Sequence, residues 1–143
     1  MSKFAEGGAP SHDALAVGRP YLYDADGALR EPALRERLAQ VLMDAQAFAL
    51  TSRRLKEKML ARQDVNGLAA IMKLVQTEQE IAKYELLQQA MGLRGLGWEG
   101  DEFSSDEHAV CRAWLNSKTY GIGGGTSEVQ LNIIAKRVLG LPS

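Results

Sequence analysis

Apolar residues recur at helical spacing along the first long patterned stretch of the chain. Between about residues 30 and 62 they return every three or four positions, which places them on one face of an α-helix. Pro32 falls in the first turn of this predicted helix, where its missing N–H group costs nothing. The residues that share the predicted apolar face are Leu34, Leu38, Val41, Leu42, Ala45, Phe48 and Ala49. At ~1.5 Å per residue this helix is about 45 Å long, well above the average for globular proteins.

A second long helix is predicted from about residue 68 to residue 91. It comes after the turn cluster Asp64-Val65-Asn66-Gly67, whose residue types favour a tight reversal of the chain. Because this connection is short, we expect the two helices to be antiparallel neighbours. The glycines at positions 92, 95, 97 and 100 are expected to end the second helix and to open a loop.

Two shorter helices complete the pattern. The third is predicted over about residues 106–118, with a serine N-cap at position 104 or 105 and acidic residues in its first turn. A glycine run at residues 121–125 then breaks the chain. The last helix is predicted over about residues 127–139, and a glycine and a proline just beyond it stop it.

The pattern predicts an all-α fold class, an antiparallel up-and-down helical bundle that spans residues 29–143. No stretch alternates between apolar and polar residues over the length of a strand, and no Asn-Gly turn lies between β-branched runs. Residues 1–28 are punctuated by glycine and proline and are predicted to form a weakly structured N-terminal segment. Within that segment Tyr21, Leu22 and Tyr23 form an apolar patch, which we expect to dock on the rest of the chain.

The overall composition bounds the class of protein. A length of 143 residues suits one domain, and 17 basic against 18 acidic residues give a net charge of −1. This balance offers no argument for binding nucleic acid or an anionic membrane surface. The single Cys111 cannot form an internal disulfide, no apolar run reaches membrane-spanning length and no signal peptide is evident, so we expect a cytoplasmic protein. His12 and His108 lie too far apart in the sequence to suggest a metal site.

The glycine run and the helix after it form the most informative stretch. Glycines let a backbone approach a ligand closely, while Thr126 and Ser127 offer hydroxyls and the helix start offers free N–H groups. A plain helix start that needs glycine conformations explains the same residues, and physics alone leaves both interpretations open. Glu128 disfavours a phosphate site because its charge lies where the anion would bind, and no lysine follows the glycines as a P-loop requires.

The run from Tyr120 to Pro142, YGIGGGTSEVQLNIIAKRVLGLP, closely resembles the end of the acyl-CoA dehydrogenase family. The segment from Arg35 to Arg53 is similar to the helix that comes after the mobile loop of that family. The segment from Lys73 to Gly92 is similar to the next helix, which ends in a Gln-x-x-Gly motif. The resemblance covers roughly residues 15–142 and points to the C-terminal helical bundle of the family.

The resemblance implies the C-terminal part of a flavin-dependent enzyme that oxidises acyl-CoA to 2,3-enoyl-CoA with FAD. This part is expected to contribute oligomer contacts and a partial FAD site, which another subunit or the unmatched domains complete. The implied partners are further copies of the chain in a homo-oligomer or another acyl-CoA dehydrogenase subunit, and acyl-CoA is reached only through the unmatched domains. The isolated chain is expected to be inactive. The alternative is a non-catalytic, stand-alone bundle that acts as an assembly or interaction module.

Four residues match the cofactor contacts of the family. Gln89 and Gly92 resemble the motif that approaches the ADP half of the flavin, usually from a neighbouring subunit. Thr126 and Glu128 resemble the Thr-x-Gln/Glu pair that touches FAD where the last helix begins, although capping and helix termination explain these positions as well. No catalytic residue is carried over, because Gly124 stands where many members have their catalytic glutamate, and no metal ligand is implied.

The resemblance also implies an incomplete bundle. No counterpart of the first helix of the family's bundle is found, so an apolar stripe is expected to be exposed and to favour association. The glutamates at positions 36, 78, 80 and 85 are interpreted as solvated groups on helix surfaces rather than as a replacement base.

Overall fold

A computed structural model describes residues 14–142, apart from the side chains of residues 14 and 66. This part of the chain forms five α-helices: α1 (Ala14–Leu22), α2 (Leu34–Leu60), α3 (Asn66–Met91), α4 (Ser105–Ser117) and α5 (Ser127–Arg137). Short 3₁₀ turns come after α3 at Gly92–Leu96 and after α4 at Lys118–Gly121. Over the described range the chain forms no strand beyond an isolated bridge between Tyr23 and Leu29, so the predicted all-α class is confirmed. None of these helices is both long and apolar enough to cross a membrane.

The long helices α2 and α3 form an antiparallel hairpin. Arg37 near the start of α2 bonds Gln89 near the end of α3, and Gln79 donates to the carbonyl of Asp44 at 2.8 Å. The start of α2 therefore lies beside the end of α3, so the two helices are antiparallel, as predicted. In the connection, Arg62 takes a φ of 55°, a left-handed value that non-glycine residues adopt rarely and that helps to reverse the chain.

Helix α3 is the centre of the bundle, because α1, α2, α4 and α5 all pack against it. One apolar cluster joins it to α4 and consists of Tyr84, Leu87, Met91 and Val110. A second cluster joins it to α1 and α2 and consists of Leu22, Leu34, Leu38 and Leu86. Leu86 and Leu87 are fully buried, and burial of a side chain of this size contributes about 2 kcal/mol. The C-terminal half of α3 is thus where the bundle is anchored.

Residues 14–22 form α1, whereas the sequence predicted weak structure over residues 1–28. That prediction is wrong for residues 14–22, and its part over residues 1–13 lies outside the described residues. The physical reason is close packing on α3: a Cβ added at Gly18 would lie 2.1 Å from Leu87 Cδ2, so a glycine here lets α1 approach. The expected docking of the patch around Leu22 is confirmed, since Leu22 is only 2% exposed.

The ends of the other helices differ slightly from the predicted ends. Helix α2 begins at Leu34 rather than near residue 30. Pro32 therefore lies in a turn just before the helix, and its carbonyl accepts from the N–H of Arg35 at 3.0 Å. Of the two candidate serines, Ser104 is the N-cap of α4. Its hydroxyl accepts from Glu107 N–H at 3.2 Å, while its own N–H donates to the Glu107 carboxylate at 2.6 Å, which completes a capping box.

Helix α2 leaves much of its predicted apolar face in solvent. Leu34 and Leu38 are buried and Val41 and Phe48 are partly buried, but Leu42 is 50% exposed. Further large apolar side chains exposed along this helix are Met43, Leu50, Met59 and Leu60. The cause is the position of α2 at the edge of the bundle, where α3 is its main packing partner. The expected exposed apolar stripe is therefore present on α2.

Candidate functional site

The glycine-rich turn, residues 121–125, joins the second 3₁₀ turn to α5. Gly124 has a φ of 72° and Gly125 a φ of 103°, left-handed values that residues with a side chain rarely adopt. A Cβ added at Gly125 would also lie 2.8 Å from Gln130 Nε2. At Gly123, by contrast, the nearest atom to an added Cβ would be 3.7 Å away. The turn therefore requires glycine at its end and offers open backbone before it.

Side chains from α3 and α5 hold the inner side of this turn. Lys73 Nζ donates to the carbonyl of Gly125 at 2.6 Å and to the carbonyl of Tyr120 at 3.3 Å. Thr77, one helical turn further along α3, donates to the same Tyr120 carbonyl at 3.5 Å. Gln130 Nε2 donates to the carbonyl in the middle of the turn, at 3.1 Å. Thr77 and Gln130 are each 6% exposed, so the turn is fastened to the interior of the bundle.

The predicted cofactor residues Thr126 and Glu128 both lie at the start of α5. Thr126 is the N-cap, and its hydroxyl accepts from Val129 N–H at 3.4 Å. The pKa of the exposed Glu128 carboxyl is lowered because the carboxylate accepts its own backbone N–H, and the Thr126 hydroxyl adds to this effect. The negative charge therefore stays at the positive end of the helix. The capping interpretation of Thr126 is confirmed, and its cofactor role stays a prediction.

Gly124 occupies the position that the family resemblance marks for a catalytic glutamate. A Cβ added there would lie 3.9 Å from Lys73 Cε, at ordinary contact distance, although its φ of 72° would strain a side chain. With glycine at this position, the turn presents only backbone where a carboxylate would otherwise stand.

An open groove of about 780 Å³ runs between α2 and α3 and ends at the glycine-rich turn. Residues that line it include Val41, Phe48, Lys73, Glu80, Lys83 and Tyr120. The Glu80 carboxylate accepts two hydrogen bonds from Lys83 Nζ, at 2.7 and 2.8 Å, so its charge is paired within α3. Among the four glutamates considered from the sequence, Glu80 is the one that lines the groove, and its carboxylate is bound to Lys83 there.

Gln89 and Gly92 lie at the other end of α3 from the turn. Gln89 is exposed and accepts a hydrogen bond from the Arg37 guanidinium. Gly92 ends α3 with a φ of 54°. Gln89 lies sixteen residues beyond Lys73 on one continuous helix, which is about 24 Å at ~1.5 Å per residue. The structure therefore does not bring the two predicted pairs together within one chain.

A buried charge cluster ties the C-terminal end of α3 to α1 and α4. Glu107 is 2% exposed, and its two oxygens accept from the Arg94 guanidinium at 2.5 and 2.6 Å. The Tyr21 hydroxyl and the Ser104 N–H also donate to it. Arg94, then Tyr21 and Ser104, hold the pKa of Glu107 far below its usual range. Burial, followed by the bond to Glu107, raises the pKa of Tyr21. Because Glu107 is buried and joins α1, α4 and the turn after α3, we interpret the cluster as structural.

Sequence reasoning missed Lys73, Thr77 and Gln130 as supports of the turn. Lys73 and Thr77 are four residues apart and therefore share one face of α3, and polar residues on an inward face signal a buried partner. The partner itself was not readable, because the carbonyls that they bind lie between 43 and 52 residues further along the chain. The role of Glu107 was missed for the same reason: its partner Tyr21 is 86 residues away.

The other chemistry-bearing residues do not gather into a site. Within the part of the chain that the structure describes, no three His, Cys, Asp or Glu side chains are placed to hold a metal ion. Cys111 is 4% exposed, as expected for a small core residue. His108 is partly buried in α4, and His12 lies outside the described residues.

Comparison with known proteins identifies the family to which this bundle belongs. Residues 24–139 match the C-terminal domain of acyl-CoA dehydrogenases, and the chain belongs to this family. Over 118 residues it is 36% identical to acyl-CoA dehydrogenase IpdE1 of Mycolicibacterium smegmatis, a match that covers 81% of this chain and 27% of the relative. Over 110 residues it is 31% identical to acyl-CoA dehydrogenase FadE34 of Mycobacterium tuberculosis, covering 77% of this chain and 14% of the relative.

Solved structures show the same fold. The chain superposes on a chain of the ChsE4–ChsE5 complex from Mycobacterium tuberculosis with a TM-score of 0.74 and 25% identity, over 91% of this chain and 34% of that chain. The Tcur3481–Tcur3483 steroid ACAD gives a TM-score of 0.74 and 22% identity, over 91% and 33% of the two chains. The chain thus spans about a third or less of the length of these relatives.

Proposed function

We propose that the chain is the C-terminal part of a flavin-dependent acyl-CoA dehydrogenase, where it contributes oligomer contacts and one corner of the FAD site. The glycine-rich turn is the observation that carries this proposal. Lys73 and Gln130 fix its inner side, while its outer side is open backbone next to a helix N-terminus. A turn that is already ordered avoids the entropic cost of ordering a loop when a cofactor binds, and helix N-termini favour anionic and polar groups.

The residues of the turn fit part of a flavin cofactor. The Thr126 hydroxyl and the bare backbone at Gly123 suit close approach of a polar ligand, whereas the ionised Glu128 suits hydroxyl or amide donors rather than phosphates. When bound, FAD would supply the hydride acceptor for the oxidation of an acyl-CoA thioester. The residues of this chain would orient it, and the phosphates would be held elsewhere in the assembly.

Gln89 and Gly92 are proposed to serve a cofactor that another subunit holds. Their separation of about 24 Å from the turn, at ~1.5 Å per helical residue, argues against a shared contact point within one chain. The partner is a second copy of the chain or another acyl-CoA dehydrogenase subunit. A structural relative is itself a complex of two components, ChsE4 and ChsE5, which supports an assembly of this kind.

The proton-abstracting base is proposed to lie outside residues 14–142. Gly124 has no ionisable side chain, and the carboxylate of Glu80 in the adjoining groove is paired with Lys83. Because a general base must reach the proton that it removes, we expect the isolated chain to be inactive.

An FAD titration tests the proposal. Absorbance and flavin fluorescence are followed for the purified chain alone and for the chain mixed with a full-length dehydrogenase of the family. We expect the chain to bind flavin alone, or to raise the flavin bound in the mixture above that of the dehydrogenase by itself. Thr126→Ala should weaken that binding about tenfold, as expected for loss of one well-placed hydrogen bond.

The matched control is Ser104→Ala, which removes the N-cap of α4 far from the turn. Each substitution costs about 1 kcal/mol of stability through the lost cap, so both variants should melt at similarly lowered temperatures. Only Thr126→Ala should weaken flavin binding. Equal weakening by both variants, or no flavin in either condition, would contradict the proposed cofactor role.

The exposed apolar side chains of α2 favour a second candidate function, a non-catalytic assembly module. Met43 and Leu50 are 62% and 59% exposed and share one face of α2, since they are seven residues apart. An exposed apolar patch commonly marks an interface. Sedimentation separates the candidates. Association without flavin binding supports the assembly module, whereas a stable 15.6 kDa monomer with and without a dehydrogenase partner contradicts both.

A further inference from the structure

We infer that Lys73 is a positioning residue that sets the shape of the glycine-rich turn by fastening both of its ends to α3. The inference deepens the proposed function and rests on it only for the link to the cofactor. The carbonyl of Tyr120 ends the segment that enters the turn, and the carbonyl of Gly125 directly precedes the N-cap of α5. One ammonium group binds both, at 3.3 and 2.6 Å.

Both hydrogen bonds of the Lys73 ammonium to described residues go to these carbonyls. Among the ion pairs of the described residues, Lys73 has no carboxylate partner. Hydrogen bonds from a charged donor are about twice as strong as neutral ones, and the side chain is partly buried, where such bonds gain further strength. Thr77 reaches the Tyr120 carbonyl only at 3.5 Å, and Gln130 binds a different carbonyl, so neither replaces Lys73.

The two bonds of Lys73 fix the positions of the groups that are proposed to contact the cofactor. With both ends fixed, the open backbone at Gly123 and the Thr126 hydroxyl keep a constant spacing. If the Gly125 carbonyl is released, the start of α5 can rotate, since the glycines that precede Thr126 add little resistance of their own. Lys73 thus affects cofactor binding without touching the cofactor.

Lys83 is the matched control for Lys73. It lies on the same helix and lines the same groove, and its ammonium bonds Glu80 within α3 rather than the turn. Hydrogen–deuterium exchange of the chain is compared for the wild type, Lys73→Met and Lys83→Met. The amides of Ile122, Gly123 and Gly125 are the reporters, because Ile122 and Gly123 donate to the carbonyl of Thr119 just before the turn and Gly125 donates to the carbonyl of Ile122 within it.

We expect these amides to exchange about tenfold faster in Lys73→Met, the effect of losing one charge-assisted hydrogen bond, while α4 stays protected. Lys83→Met should leave the turn unchanged, and Lys73→Arg should restore much of the protection because it keeps a charged donor. If Lys73→Met does not fold, Lys73→Gln, a shorter and neutral donor, carries the comparison. Unchanged exchange in the turn, or equal acceleration across the whole chain, overturns the inference.

The titration with FAD adds a separate readout. If the wild type binds flavin, Lys73→Met should weaken binding about tenfold and Lys83→Met should not. If no variant binds flavin, the proposed cofactor role fails, and the exchange of the turn amides still decides whether Lys73 positions the turn. Flavin binding that Lys73→Met leaves intact, despite a loosened turn, contradicts the link between the two.

Discussion

The two ends of α3 use a charge to fasten a loop, but they do so in opposite ways. At the C-terminal end, Glu107 is buried and accepts hydrogen bonds from Arg94, Tyr21 and Ser104. Near the N-terminal end, Lys73 binds backbone carbonyls and leaves the other side of the turn open. The charge of Glu107 therefore stabilises the fold, whereas the charge of Lys73 orders a turn that stays accessible to a ligand. Substitutions at the first should alter stability, and those at the second should alter binding.

The largest expected effect is at Glu107. Glu107→Gln leaves the Arg94 guanidinium without its carboxylate partner and replaces one of two acceptor oxygens by an amide group that cannot accept, so we expect a loss of about 3 kcal/mol in the free energy of unfolding. Urea denaturation measures it. Asp106→Asn, in the same first turn of α4 but exposed, is the control and should lose well under about 1 kcal/mol. A variant of Glu107 as stable as the wild type would break the comparison.

The next effect is a dependence of stability on pH. The pKa of Glu107 is depressed in the folded chain from its ordinary value of 4.5, so its contribution is present above that pH and is lost as pH falls through the folded pKa. We expect the free energy of unfolding to fall by about 2 kcal/mol between pH 4.5 and 3 through this group. The melting temperature of Glu107→Gln should fall less steeply over the same range, and parallel curves would exclude Glu107 as the cause.

The smallest effect on stability is expected in the glycine-rich turn. Gly125→Ala places a side chain at a φ of 103° and near Gln130 Nε2, which should cost about 1.5 kcal/mol. Gly121→Ala is the control, because an added Cβ there meets no atom within 4 Å and Gly121 is not among the proposed cofactor contacts. Thermal melts and the flavin titration are measured together. If Gly125→Ala lowers the affinity for flavin in addition to the stability, the result supports a role of the turn in binding. If only the stability changes, the result contradicts that role.

The sequence predicted the helices well because their signals are local. The spacing of Leu34, Leu38 and Val41, the serine cap of α4 and the glycine after α3 each act within a few residues. The sequence also placed Thr126 and Glu128 correctly at the start of α5, while their role in cofactor binding stays a prediction. The support of the turn was not predictable, because Lys73 and its carbonyl partners are brought together only by the packing of α5 on α3. Helix α1 was not predicted because a glycine such as Gly18 usually interrupts a helix. In the fold, Gly18 instead lets α1 pack closely against Leu87 of α3.

The central position of α3 also limits how the chain can change in length. Four helices pack around it, and its two ends carry Lys73 and Gln89. One residue inserted between them would turn everything beyond it by about 100° and shift it by ~1.5 Å. Leu86 and Leu87 would then face away from their clusters, and Gln89 would lose its register with Arg37. We expect insertions and deletions to be tolerated in the connections at residues 61–65 and 97–104 and excluded from α3, which acts as a spacer of fixed length.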